Sequence, residues 1–327
     1  MKRLVFILAL IAAPLFAQVP KGAENNASLR YWNAFAQMSD QPLSSAEAQH
    51  MEGVAKGTVP WDEAAVGKLL DQNAGAVETM VHGTTFPYCV WGIDYWGNDK
   101  HLVAASPIPD LGRGRALARL NILAARRLAA QGKSREATDH LVAGIRFAQD
   151  LGAGMPLIGV LVGAYSLDTD LTAALQLARD GKLSREDRAR LKAAVRALKP
   201  DVYDWSGAIH LEKKAMMESL LQVKNAQDPL KLLAFPENKE FQDLNEAVRT
   251  NPRPSDADMR EADAIWAKAE VLFRQPAASS APGFDQLQGR IEKLGPLCKM
   301  GFPSLKRMND ERQTRVEDVL KKFQNEM

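Results

Sequence analysis

Apolar residues recur at helical spacing along most of this chain, most clearly over residues 115–152. Residues 115–131 carry one apolar stripe, at helical offsets, formed by Leu117, Leu120, Ala124 and Leu128. Residues 135–152 carry a second stripe, formed by Ala137, Leu141, Gly144 and Ala148. Because only a short turn containing Gly132 separates the segments, we predict an antiparallel helical hairpin. No alternating pattern typical of strands occurs, so the predicted fold class is all-α, an array of antiparallel hairpins.

Cap residues and turn residues predict further helices on both sides of this hairpin. The predicted segments are 27–38, Ser45 to Gly53, Pro60 to Gly83, Pro156 to Asp180, 184–199, 203–223, a short helix ending near Thr250, one that Ser255 opens and a last one from Ser304. The apolar run from Met155 to Leu167 is shorter than the roughly 20 residues that span a bilayer. We therefore interpret it as part of a buried core helix.

Composition divides the mature chain into two regions. Residues 18–225 form the predicted N-terminal helical array, which includes an aromatic connection at 84–111. Residues 226–327 form a C-terminal helical region. Proline, serine and glycine predict linkers within that region near 248–254 and 276–283.

The hairpin resembles a tetratricopeptide repeat in the small residues near its helix crossing, which are Ala125, Ala137 and Gly144. It departs from that pattern at Leu128, where the family has an aromatic residue, and it lacks the final proline. The segments ENNASLRYWNAFAQM, C-x-W-G-x-D at 89–94 and L-x-x-L-A-A-R-x-L-A within the hairpin resemble a group of exported bacterial proteins. This resemblance covers about residues 25–220. It implies an all-helical exported fold and carries no activity.

The first 17 residues have the three parts of a secretory signal peptide. Lys2 and Arg3 precede an apolar stretch, and the sequence Leu15-Phe16-Ala17 predicts cleavage after Ala17. The alternative is a retained membrane anchor, but the apolar stretch is short for a span. We expect an exported protein, periplasmic or extracellular, with no transmembrane span after signal cleavage.

Charge gives no reason to expect a nucleic-acid partner. The chain has 42 basic and 40 acidic residues, and removal of the signal, with its two basic residues, leaves equal numbers. Such a balanced chain has no strong overall attraction to polyanions. We expect no cofactor and no metal. The expected partner is a protein or an envelope polymer, and the oligomeric state stays open.

Residues 86–99, FPYCVWGIDYWGND, combine five aromatic residues with glycines and carboxylates. The candidate binding residues of this segment are Tyr88, Trp91, Asp94, Tyr95 and Trp96. Aromatic side chains in an irregular loop can stack on a sugar or a peptide. Alternatively, they fold inward and cover one end of the helical core. We favour packing, because an exposed aromatic patch of this size promotes aggregation.

The sequence contains none of the strong catalytic motifs, such as GxSxG, HExxH or a phosphate-binding glycine loop. The candidate catalytic residues are Glu78, His82, Asp94 and His101. Folded together, they could supply an acid and a base. The simpler reading is that His82 lies at a helix C-terminus, with Glu78 as an ordinary i,i+4 neighbour.

The two cysteines, Cys89 and Cys298, allow one disulfide in an oxidising compartment. The alternative is two independent thiols, because sequence separation does not give the distance between them.

The segment 111–135, which includes the first helix of the predicted hairpin, contains seven cations and no acid. The cations are Arg113, Arg115, Arg119, Arg126, Arg127, Lys133 and Arg135. Arg115, Arg119 and Arg126 share one face of the predicted helix. An anionic partner could bind this face, but we favour neutralisation by acids of neighbouring helices.

Together these patterns favour an exported, non-enzymatic helical scaffold or binding module of the bacterial envelope. The runner-up is a hydrolase or lyase that acts on envelope glycan or peptide, with a histidine and carboxylate site within residues 78–101. A third reading is an oligomeric structural protein that associates through its C-terminal helix.

Overall fold

The computed structural model describes residues 25–39, 45–93, 108–198, 202–233 and 242–327. These residues are mainly helical, which confirms the all-α prediction. The α-helices are α1 (Ala27–Gln37), α2 (Ser45–Lys56), α3 (Glu63–Gln72), α4 (Ala74–Gly83), α5 (Leu111–Ala130), α6 (Ser134–Gly152), α7 (Leu157–Arg179), α8 (Arg185–Ala197), α9 (Trp205–Asn225), α10 (Gln242–Thr250), α11 (Asp256–Phe273), α12 (Ala277–Ile291), α13 (Pro296–Met300), α14 (Leu305–Arg312) and α15 (Asp318–Glu326). The only β-type pairing within these ranges is a single bridge between Asn26 and Tyr88.

Helices α5, α6 and α7 pack against one another in turn, and α8 packs against α6. Glycines make two of the turns between these helices. Gly132 between α5 and α6 has a φ of 78°, and Gly181 between α7 and α8 has a φ of 67°. This backbone conformation favours glycine because it has no Cβ atom. Ser184 then starts α8 with a capping box that includes Asp187. The hairpin predicted from the apolar stripes is therefore present, and α5 begins at Leu111, earlier than the stripe indicated.

Helix α7 is the central helix of the fold. It packs against α2, α5, α6, α9 and α15. Among the described residues it is the one helix long and apolar enough to cross a membrane, but 67% of its apolar window is buried inside the protein. Burial by neighbouring helices on most sides explains this composition. The prediction of a core helix at the apolar run is confirmed.

The C-terminal helices pack back onto this centre. Helix α11 lies against α9, α12 lies against α14, and α15 reaches α7. One continuous cluster of buried apolar side chains extends from Ala27 to Phe323. The fully buried indole of Trp266 stacks on Phe302 with ring centroids 4.7 Å apart. Residues from both predicted regions thus contribute to the same hydrophobic core.

The predicted linker at 276–283 is wrong, because these residues begin helix α12. The carboxylate of Glu317 accepts a hydrogen bond from the Ala277 backbone N–H at 3.0 Å. The amide of Asn309 donates to the Ala277 carbonyl at 2.9 Å. These partners satisfy backbone groups at the start of the helix, and they come from a segment far along the chain. Composition therefore indicated a linker where tertiary contacts stabilise a helix.

The single helix predicted from Pro60 to Gly83 is divided in two at Asn73. Asp62, not Pro60, caps the first part by accepting backbone hydrogen bonds from Ala64 and Ala65. Asn73 is buried, and its amide donates to the Leu69 carbonyl at 2.9 Å. The side-chain oxygen of Asn73 accepts from the backbone N–H of Ser39 at 2.9 Å. Asparagine competes in this way with regular helical hydrogen bonding.

Helix α7 also carries an acidic side chain into the core. Asp170 is 2% exposed, and neither carboxyl oxygen has a hydrogen-bond partner among the described residues. It faces Gly144 of α6, beside the amide of Asn121 on α5. Burial raises the pKa of Asp170 well above its ordinary value. The carboxyl is therefore held in its neutral form over a wider pH range than in the unfolded chain.

Because the pKa of Asp170 is raised on folding, its contribution to stability is fully present at low pH and is lost as pH rises through the folded-state value. We expect Asp170→Asn, which cannot ionise, to become progressively more stable than the wild type as pH rises from 4. Urea unfolding at a series of pH values measures this difference. Asp243→Asn, at an exposed site, is the matched control and is expected to follow the wild type. Parallel curves for Asp170→Asn and the wild type would contradict the prediction.

Candidate functional site

The first part of the aromatic segment is fixed by hydrogen bonds to the start of α1. The side chain of Asn26 donates to the Val90 carbonyl at 2.7 Å and accepts from the Val90 N–H at 2.9 Å. The Ala27 N–H donates to the Tyr88 carbonyl at 2.9 Å. Ser28 adds a hydrogen bond to the Val90 carbonyl at 2.7 Å. The resemblance motif around Asn26 thus has a structural role, which is to hold residues 88–90.

Trp91 points into the core. Its side chain is 8% exposed, and its Nε1–H donates to the Asp150 carbonyl at 2.8 Å. The indole lies 5.8 Å from the Tyr31 ring and 6.2 Å from the parallel Phe35 ring, measured between centroids. Tyr88, by contrast, is 38% exposed. Of the candidate binding residues, Trp91 therefore packs as favoured, and Tyr88 faces outward; Asp94, Tyr95 and Trp96 lie outside the described residues.

Asp150 connects this segment to α6. Its carboxylate accepts a hydrogen bond from the Tyr31 hydroxyl at 2.7 Å and forms an ion pair with Arg146 at 3.1 Å. Burial, followed by the nearby Asp150 charge, raises the pKa of Tyr31 well above its ordinary value. A tyrosine that donates to a carboxylate and stays protonated is suited to holding helices together. This cluster fixes α1 on α6.

The two cysteines are free thiols in the structure, so the disulfide considered from the sequence is not formed. Cys89 is half-buried near Asp150 and Arg146, whereas Cys298 is buried on α13 near Asp258. Burial raises the pKa of the Cys89 thiol, and burial followed by the charge of Asp258 raises that of Cys298 to about 11. Protonated thiols are poor nucleophiles. Both residues pack in the core of their own region.

The candidate catalytic residues within the described part of the chain do not meet in a cleft. Glu78 and His82 are both exposed on α4, and no hydrogen bond joins them there. The His82 ring contacts the edge of Phe86, with centroids 5.3 Å apart. Asp94 and His101 lie outside the described residues. Within the ranges that are described, no group of three or more His, Cys, Asp and Glu side chains is placed to hold a metal ion.

A cavity of about 360 Å³ lies instead between the hairpin region and the C-terminal helix. Helix α7 contributes Leu161, Val162 and Tyr165, and α5 contributes Arg115. Residues 161 and 165 lie four apart, so both side chains occur on the same face of α7. This combination of apolar and charged lining is typical of small-molecule sites.

The opposite wall comes from α14 and the segment that follows it. Its lining residues are Ser304, Arg307, Met308, Glu311 and Arg315. They recur every three or four positions, which places them on one side of the helix. Ser304 caps α14 by accepting a hydrogen bond from the Arg307 N–H. The residues from Gln313 to Glu317 form a π-helical turn, a rare feature that is frequent at functional sites.

Three cations surround the ring of Tyr165. The guanidinium carbon of Arg115 lies 4.3 Å from the ring centroid, that of Arg315 lies 5.2 Å away, and the Lys56 ammonium lies 5.3 Å away. Cation–π attraction stabilises such an arrangement. The electron-rich ring thus helps to hold positive charge at the cavity, and for Arg115 it does so without a carboxylate partner among the described residues.

Glu52 of α2 holds the polar end of Tyr165. It accepts the tyrosine hydroxyl hydrogen and forms ion pairs with Lys56 at 3.1 Å and Arg119 at 2.8 Å. Burial by itself raises the pKa of Glu52, but hydrogen bonds from Tyr165 and Lys56 and the charge of Arg119 outweigh it and lower that pKa. Glu52 therefore stays ionised and fixes the orientation of the ring.

Acidic residues hold Arg315 on the other side of the cavity. Its guanidinium forms ion pairs with Asp168 of α7 at 3.2 Å and with Glu311. Burial raises the pKa of Asp168, and the positive charges of Arg315 and Lys56 reduce the size of this increase. The pair with Asp168 ties the π-helical turn to α7.

Carboxylates pair with three of the seven cations singled out in the sequence. The pairs are Arg113 with Asp110, Arg119 with Glu52, and Arg127 with both Glu63 and Asp71. On the face shared by Arg115, Arg119 and Arg126, the favoured neutralisation by a neighbouring helix is found among the described residues at Arg119 alone. Arg126 is buried at 7% exposure. Arg115 has no carboxylate partner among the described residues, and it differs from the other six cations because it stacks on Tyr165 and lines the cavity.

No protein-family model, curated protein or solved structure matches the chain. The resemblance to exported bacterial proteins therefore stays a prediction, and the cavity has to be interpreted from its own geometry. That geometry combines an ordered aromatic ring, an arginine without an acidic partner and an apolar wall. Such a cavity can bind an anion.

Proposed function

We propose that this chain is an exported, non-enzymatic helical binding module of the bacterial envelope that captures a small anion beside Tyr165. Export rests on the signal-like residues 1–17, with cleavage after Ala17 and release into the periplasm or the medium. Helix α5 of the tetratricopeptide-like hairpin supplies Arg115 to the binding site, beside the wall that α7 forms. The captured anion replaces the protein or polymer partner expected from the sequence.

One observation carries this proposal: Arg115 stacks on Tyr165 and faces the cavity without an acidic partner among the described residues. An arginine in that position offers a planar set of donors that matches an anionic oxygen pair. Stacking fixes the guanidinium before a ligand arrives, which reduces the entropy lost on binding. The surrounding ion pairs of Glu52 keep the ring in place.

The runner-up, a hydrolase or lyase acting on envelope glycan or peptide, has no comparable support. Its two described candidates, Glu78 and His82, are exposed on α4, and Trp91 is in the core. The reading with the C-terminal helix as an association surface also has less support. That helix forms a wall of the cavity and packs against α7 and α12.

Binding of small anions should be measured by isothermal titration calorimetry with acetate, benzoate, sulfate and inorganic phosphate. We expect at least one of them to saturate a single site and the Arg115→Gln variant to lose about tenfold in affinity, the effect of one charge-assisted hydrogen-bonding pair. Arg135→Gln removes the same charge from an exposed position of the same hairpin and is expected to bind like the wild type.

Two outcomes contradict the proposed function. One is that no anion saturates a site on the wild-type protein. The other is that Arg135→Gln loses as much affinity as Arg115→Gln, because the attraction would then depend on overall charge. Circular dichroism and the unfolding temperature establish that both variants are folded.

A further inference from the structure

We infer that the anion is a monocarboxylate with an apolar body of about a dozen non-hydrogen atoms, which inserts its apolar part between α7 and α14. This inference rests on the proposed function of anion capture at Tyr165. It adds the charge, the shape and the size of the ligand.

The charges around the cavity attract an anion, and the carboxylate in the lining favours one with a single negative charge. The cations near Tyr165 and along the lining are Lys56, Arg115, Arg119, Arg307 and Arg315. The acids among them are Glu52, Asp168 and Glu311. Five cations against three acids leave an excess of two positive charges, which attracts anions but does not by itself distinguish a monoanion from a dianion. Because Glu311 belongs to the lining itself, a dianion such as phosphate meets a like charge inside the cavity.

The head group is expected to bind where donors lack acidic partners. Arg115 is such a donor. Arg307 is held less firmly than Arg315, since its side chain is 80% exposed and its ion pair with Glu311 is long, at 4.0 Å. Arg315 is less suitable because Asp168 and Glu311 already hold it. A carboxylate presents two oxygens in one plane, which matches the paired N–H groups of arginine.

The rest of the lining requires an apolar body. Leu161 and Val162 on one wall and Met308 on the other have no polar side-chain atom to offer a ligand beyond the weakly accepting methionine sulfur. Covering these side chains removes apolar surface from water, which favours binding. Met308 is unbranched and adapts to ligand shape more readily than leucine or valine. A bare inorganic anion leaves this surface uncovered.

The volume limits the size of the ligand. About 360 Å³ lies near the lower end of the roughly 300–1,000 Å³ of small-molecule sites. With ~30 Å³ per atom, the share of one molecule in liquid water, the cavity holds about a dozen non-hydrogen atoms. This is the size of a phenylpropionate-like acid or of the last residue of a peptide chain, and both present the same carboxylate chemistry.

The experiment compares probes that differ in one property, by calorimetry on the full mature chain. 3-Phenylpropionate is the reference, its primary amide removes the charge, acetate removes the apolar body, and phenyl phosphate adds a second charge. We expect the reference to bind about tenfold tighter than each of the others, the effect of losing a charged hydrogen-bonding pair or an apolar group. N-acetyl-alanyl-phenylalanine carries the same acid at a peptide end, and the tighter of the two acids identifies the source.

Two variants localise the effect. Met308→Gln keeps an unbranched side chain and makes it polar, so it should weaken phenylpropionate while leaving acetate unchanged. Arg115→Gln should weaken every carboxylate, and Arg135→Gln should weaken none. A Met308→Gln protein that binds phenylpropionate normally contradicts the apolar contact, because a ligand elsewhere on the surface would not respond.

The possible failures are distinguishable. Tighter binding of phenyl phosphate, or equal binding of acetate, overturns the monocarboxylate inference and leaves anion capture standing. If the neutral amide binds as tightly as 3-phenylpropionate, the inference that the head group is an anion is wrong. Absence of binding by every anion overturns the inference together with the proposed function.

Discussion

Replacing Trp91 with alanine is expected to lower the free energy of unfolding by about 3–5 kcal/mol, the range for a buried tryptophan truncated in a core. The indole is 8% exposed and packs between the rings of Tyr31 and Phe35. Its removal leaves a cavity and also removes the hydrogen bond that the Asp150 carbonyl accepts from the indole N–H at 2.8 Å. Denaturant unfolding followed by circular dichroism measures the loss.

Trp32 provides the matched control, since it belongs to the same aromatic cluster and is 41% exposed. Trp32→Ala should cost less than half as much, because less of its area leaves water on folding. Trp91→Phe keeps an aromatic ring but removes the N–H donor, so it separates packing from hydrogen bonding. Its loss of unfolding free energy should lie between those of Trp91→Ala and Trp32→Ala. If Trp91→Ala and Trp32→Ala cost the same, Trp91 does not close the core.

The second large effect is expected at Gly163, where α7 approaches α6. A Cβ atom at this position would lie 2.8 Å from the Ala148 carbonyl oxygen and 3.1 Å from the Gly152 nitrogen. Both are backbone atoms of α6, so the clash is relieved only if the two helices move apart. We expect Gly163→Ala to destabilise the protein by about 1–3 kcal/mol, the usual cost of overpacking.

Gly289→Ala makes the same substitution in α12, where no atom lies within 4 Å of the added Cβ. Alanine loses less conformational freedom in a helix than glycine, so this variant is expected to be more stable by about 0.5–1 kcal/mol. The two alanines should therefore shift the denaturant midpoint in opposite directions. A stabilising Gly163→Ala would show that α6 and α7 are not in close contact.

The elements predicted best from the sequence are those whose signals are local. The α5–α6 hairpin follows from two apolar stripes and one glycine, and Gly132 indeed adopts a positive φ. Ser184 and Ser255 cap the helices they were expected to open. Each of these features depends on residues a few positions apart, so a single sequence is sufficient to identify them.

The features that sequence reasoning missed depend on distant residues. Asn73 divides one predicted helix through bonds that include Ser39, and Glu317 and Asn309 stabilise a helix at a predicted linker. No local pattern contains these partners. Serine, proline and glycine indicate what the isolated segment prefers, and tertiary hydrogen bonds override that preference.

The candidate site was predicted only in part. Arg115 appeared in the sequence as one of seven cations, but nothing near it distinguished it from Arg119. The distinction arises because Glu52 of α2 pairs with Arg119, while Arg115 reaches Tyr165. The helical spacing of Arg307, Glu311 and Arg315 was readable, but its meaning depends on α7, far away in sequence. The aromatic segment at 86–99 contributes its described tryptophan, Trp91, to the core.

The position of the cavity walls along the chain has a consequence for biosynthesis. Asp168 and Arg315, which join the two walls, are 147 residues apart. Synthesis proceeds from the amino terminus, so α5 to α7 can assemble while the other wall is still missing. The cavity forms only when residues 304–315 arrive.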